Sequence, residues 1–366
     1  LHPVTRRSVV DLLRTMNSYY SNLIEGHNTH PLAIEKALRD DYSADPALRA
    51  LQMESRAHIE VQVLIERRLE EAPETDICAP DFLRWMHREF YDRLPDEFRT
   101  VKTASGGEDR VVPGELRQCE VEVGRHIPPA FTSLPRFLSR FAEGYSPAAL
   151  DPLERIVAVA ASHHRLAWIH PFLDGNGRVT RLFTHAYFLR VKTDGHRLWM
   201  VSRGLARRRD EYMVALAGGD AQRRNDLDGR GNLSDEGLAR FCRFFLGTAI
   251  DQVEFMIGLL NLDSMQERIL LFAERWVART RAADTIPDLL RDVFLRGEVT
   301  RGEAMRILQK PERTARRVLG TLLEESLLVS DAPGAPVRLG FPATLVGYYF
   351  PRLYPEGVEL EAGRMS

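Results

Sequence analysis

His170-Pro171-Phe172-Leu173-Asp174-Gly175-Asn176-Gly177-Arg178-Val179-Thr180-Arg181 gathers an imidazole, a carboxylate, an amide between two glycines and two guanidinium groups in one short segment. Apolar residues at helical spacing lie on either side of it. Leu153, Ile156, Val157, Ala160 and Trp168 come before, and Leu182, Phe183, Ala186 and Leu189 follow. Pro171 disfavours helical backbone at His170, so the imidazole falls where the first helix gives way to a loop. The glycines Gly175 and Gly177 then open the second helix.

A helix start leaves its first backbone N–H groups unpaired, with the positive end of the helix dipole behind them, which makes an anion cradle. Glycines let the main chain approach a phosphate closely, and Arg178 and Arg181, three apart, offer guanidinium forks on one helical face. Asp174 is a hard oxygen ligand of the kind that suits Mg²⁺ beside phosphates. His170, with an ordinary pKa of roughly 6.5, can take a proton from a nucleophile at neutral pH. The residues alone thus describe metal-assisted transfer of a phosphate-containing group to a protonated acceptor. A Walker-type loop is excluded because Gly-Lys-(Ser/Thr) is missing. Zinc held by His163, His164 and His170 is disfavoured, since no cysteine or second ligand cluster accompanies them at a zinc spacing.

The segment resembles the signature of the Fic family, His-x-Phe-x-(Asp/Glu)-Gly-Asn-Gly-Arg-x-x-Arg, with every specified position filled. Members mostly transfer AMP from ATP to a hydroxyl side chain of a protein. The resemblance therefore implies a protein adenylyltransferase using ATP and Mg²⁺. It makes His170 the general base, Asp174 the Mg²⁺ ligand and Asn176 and Gly177 part of the α-phosphate cradle. Gly175, Val179 and Thr180 line the same nucleotide site, and Arg178 and Arg181 hold the outer phosphates. Phe172 reads as a core anchor of the loop.

The chain has 366 residues, with 50 basic and 52 acidic side chains and a net charge of −2, so overall charge does not announce a nucleic-acid binder. Cys78, Cys119 and Cys242 are few and lack metal spacing, which favours a reducing compartment. No apolar run approaches the ~20 residues of a membrane helix and no signal peptide is seen. The expectation is a cytoplasmic protein without a membrane partner. Its predicted fold is mainly α: an N-terminal helical region at 1–75, a Fic-type core with a short β-hairpin flap at 76–262, and a small winged-helix domain at 263–366.

Near the N-terminus the helical pattern of residues 8–24 ends at Gly26, and a long helix starts at Asp45-Pro46 and runs to about Glu71. Ser21-Asn22-Leu23-Ile24-Glu25-Gly26 is similar to the family's inhibitory motif, (Ser/Thr)-x-x-x-Glu-(Gly/Asn), placed here before the core. A glutamate delivered to Arg181 would pair with the guanidinium that should hold the γ-phosphate, leaving ATP a misplaced pose. Glu25 and Ser21 are the implied inhibitory residues.

Thr103 to Gly114 reads as a loop, and the alternation of Gln118 to Arg125 predicts a short strand. His87, on a helix beginning at Asp81, is expected on the surface without a role. By resemblance Val123 to Pro129 form the flap, whose edge pairs with a target's main chain, and Val123, Gly124, Arg125 and His126 also line the nucleotide site. After the signature, Tyr212 with Met213 fits the position of the family's aromatic residue against adenine, and Asp220 a place where relatives can have an asparagine facing the nucleotide. Arg224 to Gly231 reads as a structural loop.

Beyond about Ser264, three predicted helices and a hairpin turned at Asp331 to Pro336 resemble a winged helix-turn-helix. Lys310, Arg313, Arg316 and Arg317 on or before its third helix make DNA a possible partner through residues 300–325. Other readings stay open: removal of AMP from a modified protein through a water oriented by Glu25, and a DNA-binding regulator whose core senses nucleotide. The target protein, self-modification and a homodimer are the remaining partner questions.

Overall fold

The computed structural model describes residues 1–102, 107–124 and 126–354. It is mainly helical. The chain runs through α1 (Pro3–Ile24), α2 (Pro31–Ala37), α3 (Pro46–Glu71), α4 (Pro80–Asp92), β1 (Thr100–Lys102), β2 (Glu108–Arg110), α5 (Leu134–Tyr145), α6 (Pro152–Ile169) and α7 (Asn176–Arg190). It continues with α8 (Val201–Arg207), α9 (Arg209–Gly219), α10 (Asp235–Leu259), α11 (Leu262–Thr280), α12 (Ile286–Arg296), β3 (Glu298–Val299), α13 (Arg301–Ile307), α14 (Glu312–Glu324), β4 (Leu328–Val329), β5 (Val337–Leu339) and α15 (Val346–Tyr349).

Local chemistry sets these boundaries. Asp45 accepts from the N–H groups of Ala47 and Leu48 at the start of α3, with Pro46 at the first helical position. Asp151 and Glu154 form a reciprocal capping box at the start of α6, which fixes the helix that delivers His170.

The residues fall into two compact units. One comprises 17–29 and 36–253 and carries the signature segment. Its core includes Val61 and Ile65 of α3, Phe90 of α4, Phe172 of the signature loop, Phe183 and Tyr187 of α7, and Phe241 and Phe245 of α10. Each such side chain, fully buried, contributes roughly 1.5–3 kcal/mol, so the loop is framed by packing more than by its own hydrogen bonds.

The other unit comprises 1–16, 30–35 and 254–366. It holds an antiparallel sheet of order β3-β5-β4, with Val299 opposite Val337 and Leu328 opposite Leu339. Leu289, Leu290 and Val293 of α12, Leu319 and Leu322 of α14, and Val337 and Leu339 of β5 are buried. Tyr349 and Phe350 are also buried, and Arg268 Nε donates to the Tyr349 carbonyl.

Two local expectations are corrected. Gln118 to Gly124 is not a strand: only a single bridge, Val123 to His126, forms there, because the alternating Val121 and Val123 find no partner strand. The loop expected from Thr103 is instead entered and left by strands, β1 pairing with β2 from Thr100–Arg110 to Lys102–Glu108; residues 103–106 lie outside the described set. By residue number, Leu1–Met16 belongs to one unit and Asn17–Thr29 to the other. Among the described residues no single helix is long and apolar enough to cross a membrane.

Candidate functional site

The site is built on the junction of α6 and α7. His170 ends α6 in the left-handed region, φ 49°, with its N–H on the Leu166 carbonyl. That turn swings the chain out of the helix, and Phe172 inserts into the core against His87, rings parallel at 4.0 Å. Asn176 closes the loop: its Oδ1 accepts from Phe172 N–H at 2.9 Å and its Nδ2 donates to the Phe172 carbonyl at 2.8 Å. The Asn176 side chain is therefore a brace of the loop. Gly175 precedes α7 at φ 77°, and a Cβ there would also lie 2.7 Å from Tyr91 Cε2.

Helix α4, which sequence reading left without a role, supports this loop. His87 of α4 is fully buried, which corrects its surface assignment: its Nδ1 accepts from Gly114 N–H at 2.9 Å and its Nε2 faces the Asp174 carbonyl at 3.3 Å. Burial pulls its pKa down to about 3, so it is neutral and can serve both partners. Tyr91 OH donates to Asp174 Oδ2 at 2.6 Å, and Arg178 Nη2 stands 3.2 Å from the same oxygen. Asp174 Oδ1 takes no hydrogen bond among the described residues, which leaves a half-exposed hard oxygen beside the start of α7.

Both signature arginines are occupied by carboxylates. Arg181 is buried, with Nη2 at 2.5 Å from Glu25 Oε1, Nε on Ser21 Oγ at 2.8 Å, and Nη2 also on the Ser21 carbonyl at 3.1 Å. A Cβ on residue 177 would run into the Glu25 carboxylate, so Glu25 lies over Gly177, at the N-terminal end of α7. There the N–H groups of Asn176, Gly177 and Arg178 have no acceptor within the helix. Burial raises the Glu25 pKa, and Arg181 and then Arg178 more than offset that, so the carboxyl sits below the ordinary glutamate value and is ionised. Arg178 Nη1 pairs with Glu54 of α3, whose other oxygen is 2.7 Å from His27 Nδ1. Sequence reading missed Glu54; nothing local distinguishes it from the other charges of a long amphipathic helix.

His170 is held in a defined state. Burial lowers its pKa to about 4, with the His126 charge acting in the same direction and the Ala167 main chain opposing them. The imidazole is neutral at pH 7, with one nitrogen donating and the other left as acceptor. Arg117 ties this residue to the neighbouring turn: Nε donates to the His170 carbonyl at 2.9 Å, Nη1 to Cys119 at 2.9 Å and Nη2 to Pro129 at 2.5 Å.

Between those anchors, the turn of Val123, Gly124 and His126 stands at the surface, with Val123 and Ile127 exposed. Arg125 lies outside the described residues. His126 Nε2 donates to the Trp168 carbonyl at 2.9 Å and its Nδ1 is 3.1 Å from Asp220 Oδ2, while Asp220 Oδ1 is 3.2 Å from His164 Nε2. Burial raises Asp220, but the two imidazoles bring it down to about 2. Asp220 thus links α6 to the turn. The structure places Tyr212, expected against adenine, in the core, its OH 2.7 Å from His163 Nε2, while Met213 lies on the exposed side of α9. Val179 and Thr180 are buried within α7.

Residues 77–188 match the Fic/DOC family model. A protein of Nematostella vectensis named protein adenylyltransferase Fic is 31% identical over 176 residues, 47% of this chain and 37% of that protein. One of the same name from Culex quinquefasciatus is 41% identical over 99 residues, 27% of this chain and 20% of that protein. The chain thus spans between a fifth and somewhat over a third of these two relatives. A crystal structure of a Fic family protein from Desulfovibrio desulfuricans G20 superposes with a TM-score of 0.50 at 17% identity, covering 90% of this chain and 87% of that one, a likeness of fold.

Proposed function

We propose that this chain, whose residues 77–188 match the Fic/DOC family model, transfers AMP from ATP to a hydroxyl side chain of a target protein, under restraint by Glu25. The observation that carries the reading is the stacking of Glu25 over Gly177 and onto Arg181, at a helix start where phosphates would otherwise sit, close in sequence to a neutral histidine. A carboxylate held there is an internal stand-in for phosphate oxygens.

In the proposed reaction the acceptor oxygen bonds to the α-phosphorus, its proton passes to the free nitrogen of His170, and the bond to the β-phosphate breaks to release pyrophosphate. The α7 N–H groups and Arg178 and Arg181 offset charge on the phosphates once Glu25 leaves. Asp174 suits Mg²⁺: one oxygen is fixed by Tyr91 and Arg178 and the other is open, matching an ion that takes few protein ligands and several phosphate or water oxygens. When bound, that ion would neutralise charge on the transferring phosphates. The exposed turn at Val123 to His126 would present the target's main chain.

Glu25→Gly should raise transfer of label from α-labelled ATP, to the chain itself or to a lysate, and His170→Ala in that background should abolish it. A Glu25→Gly protein as slow as the parent would overturn the restraint, and labelling that survives loss of His170 would overturn the mechanism.

The other unit supports a winged helix-turn-helix reading through its succession α12, β3, α13, α14, β4, β5. On α14, Arg313 and Arg317 are exposed, whereas Arg316 pairs with Glu312; Lys310, before the helix, pairs with Asp284. DNA affinity measured at several salt concentrations, with Arg313 and Arg317 neutralised, tests it; binding that ignores both salt and the substitutions would count against it.

A further inference from the structure

A cavity lies in the unit that carries the signature segment, lined by residues other than those of the proposed nucleotide site. It has a volume of about 530 Å³, walled by Arg136 and Arg140 of α5, Arg165 of α6 and Arg230 of the loop before α10, over a floor that includes Phe137 and Trp168. Asp235 is the one carboxylate in its lining. None of the four arginines has a carboxylate partner among the described residues; Arg165 reaches only the Gly219 carbonyl, His164 and Tyr145.

Four unneutralised guanidinium groups around one cavity repel one another, and Arg136 and Arg140 do so at the i, i+4 spacing, where like charges weaken a helix. In a chain with net charge −2 this concentration is local. The cavity adjoins the turn that the proposed reading gives to the target: Trp168, part of its floor, accepts through its carbonyl from His126, and Ile169 in its wall precedes His170. Phe137 and Trp168 meet edge to face, 5.3 Å apart at 71°, and leave no two parallel faces between which a base could be clamped. An apolar floor under a cationic rim instead suits a side chain anchored among acidic neighbours.

We propose that this cavity is a docking site for an acidic segment of the protein substrate, one that carries an aromatic or aliphatic anchor and runs on from the stretch paired at the turn. This rests on the transferase reading for its purpose, though not for its binding test. The arginines take the segment's carboxylates, Phe137 and Trp168 take the anchor, and the acceptor hydroxyl is thereby held near His170. Selectivity would then come from outside the turn, whose main-chain pairing reads little sequence.

The test is fluorescence anisotropy on the full chain with a fluorescein-labelled, glutamate-rich peptide carrying one phenylalanine. The parent should bind it, less tightly as salt rises from about 50 to about 200 mM. The double substitution Arg136→Glu with Arg140→Glu, at exposed positions, should weaken binding at least tenfold, and Arg230→Ala at least threefold, with unchanged circular dichroism. Equal binding by the charge-reversed protein overturns the proposal, as does displacement of the peptide by AMP or a short oligonucleotide at lower concentrations than by unlabelled peptide. In the Glu25→Gly background the charge-reversed protein should still hydrolyse or transfer label from ATP, with small acceptors, at the rate of the Glu25→Gly protein itself. If no labelling occurs in either background while the peptide still binds through the arginines, the transferase reading fails and the docking site stands.

Discussion

Glu54 Oε1 is paired with Arg178 Nη1 across 124 residues of sequence, while Glu54 Oε2 faces His27 Nδ1 at 2.7 Å. With Glu25 on Arg181, each signature arginine therefore has its own carboxylate, and phosphates bound as proposed would have two competitors.

Removing the second one should separate stability from affinity. Breaking a buried pair costs about 3–5 kcal/mol when the remaining charge is orphaned, but Asp174 stays beside Arg178. Glu54→Gln should thus destabilise the ligand-free protein by about 1–3 kcal/mol, and ATP should stabilise the variant more than it does the parent. Thermal melts with and without ATP decide it; an ATP shift no larger than the parent's would exclude competition at Arg178.

Asp174 is aimed by Tyr91 through a 2.6 Å hydrogen bond. Outer partners of a ligating carboxylate typically change metal affinity by about 10–100-fold, so Tyr91→Phe in the Glu25→Gly background should raise the Mg²⁺ concentration for half-maximal transfer about tenfold. A magnesium titration at saturating ATP is the measurement. An unchanged midpoint would mean that Asp174 needs no such aiming.

His58 is fully buried with no hydrogen bond on either ring nitrogen. Burial, then the Arg181 charge, lowers its pKa to about 3; burial likewise brings His87 to about 3 and His170 to about 4. The unfolded chain binds these protons near pH 6.5 and the folded one does not, so stability is full above about pH 6.5 and falls as pH drops towards 4. His58→Leu should flatten that decline and stabilise by about 1–2 kcal/mol at pH 7, since an unsatisfied buried polar ring is replaced by an apolar side chain. Denaturant midpoints between pH 4 and 8 would show it, and a slope identical to the parent's would argue against a buried, neutral His58.

Gly175 combines φ 77° with the Tyr91 ring against its missing Cβ. Gly175→Ala should cost about 2–4 kcal/mol through backbone strain plus displacement of Tyr91. Chemical denaturation reads the loss; a cost under about 0.5 kcal/mol would fit only a neutral surface position.

What the sequence disclosed follows from range. The long helix from Pro46 to Glu71 announces itself by cap, proline and period, all within a few residues. The signature loop is legible for the same reason, its functional groups being neighbours in the chain. Glu54, His87 and Tyr91 act on that loop from 83 to 124 residues away, and before folding each is one polar position on an amphipathic helix. The alternation at Gln118 to Arg125 misleads because a strand needs a partner, and Arg117 has instead bound that segment to His170. Tyr212 misleads because spacing says that an aromatic ring is present on α9 without saying which way it turns.

Arg117 joins the Cys119 and Pro129 carbonyls, on either side of the exposed turn, to the carbonyl of His170 through one buried guanidinium. The edge that would receive a polypeptide and the imidazole that would deprotonate it are thereby moored to a common post. Their separation is fixed when the chain folds, before any ligand arrives. A substrate landing on that edge would have little alignment left to find, and what remained to govern turnover would be the departure of Glu25.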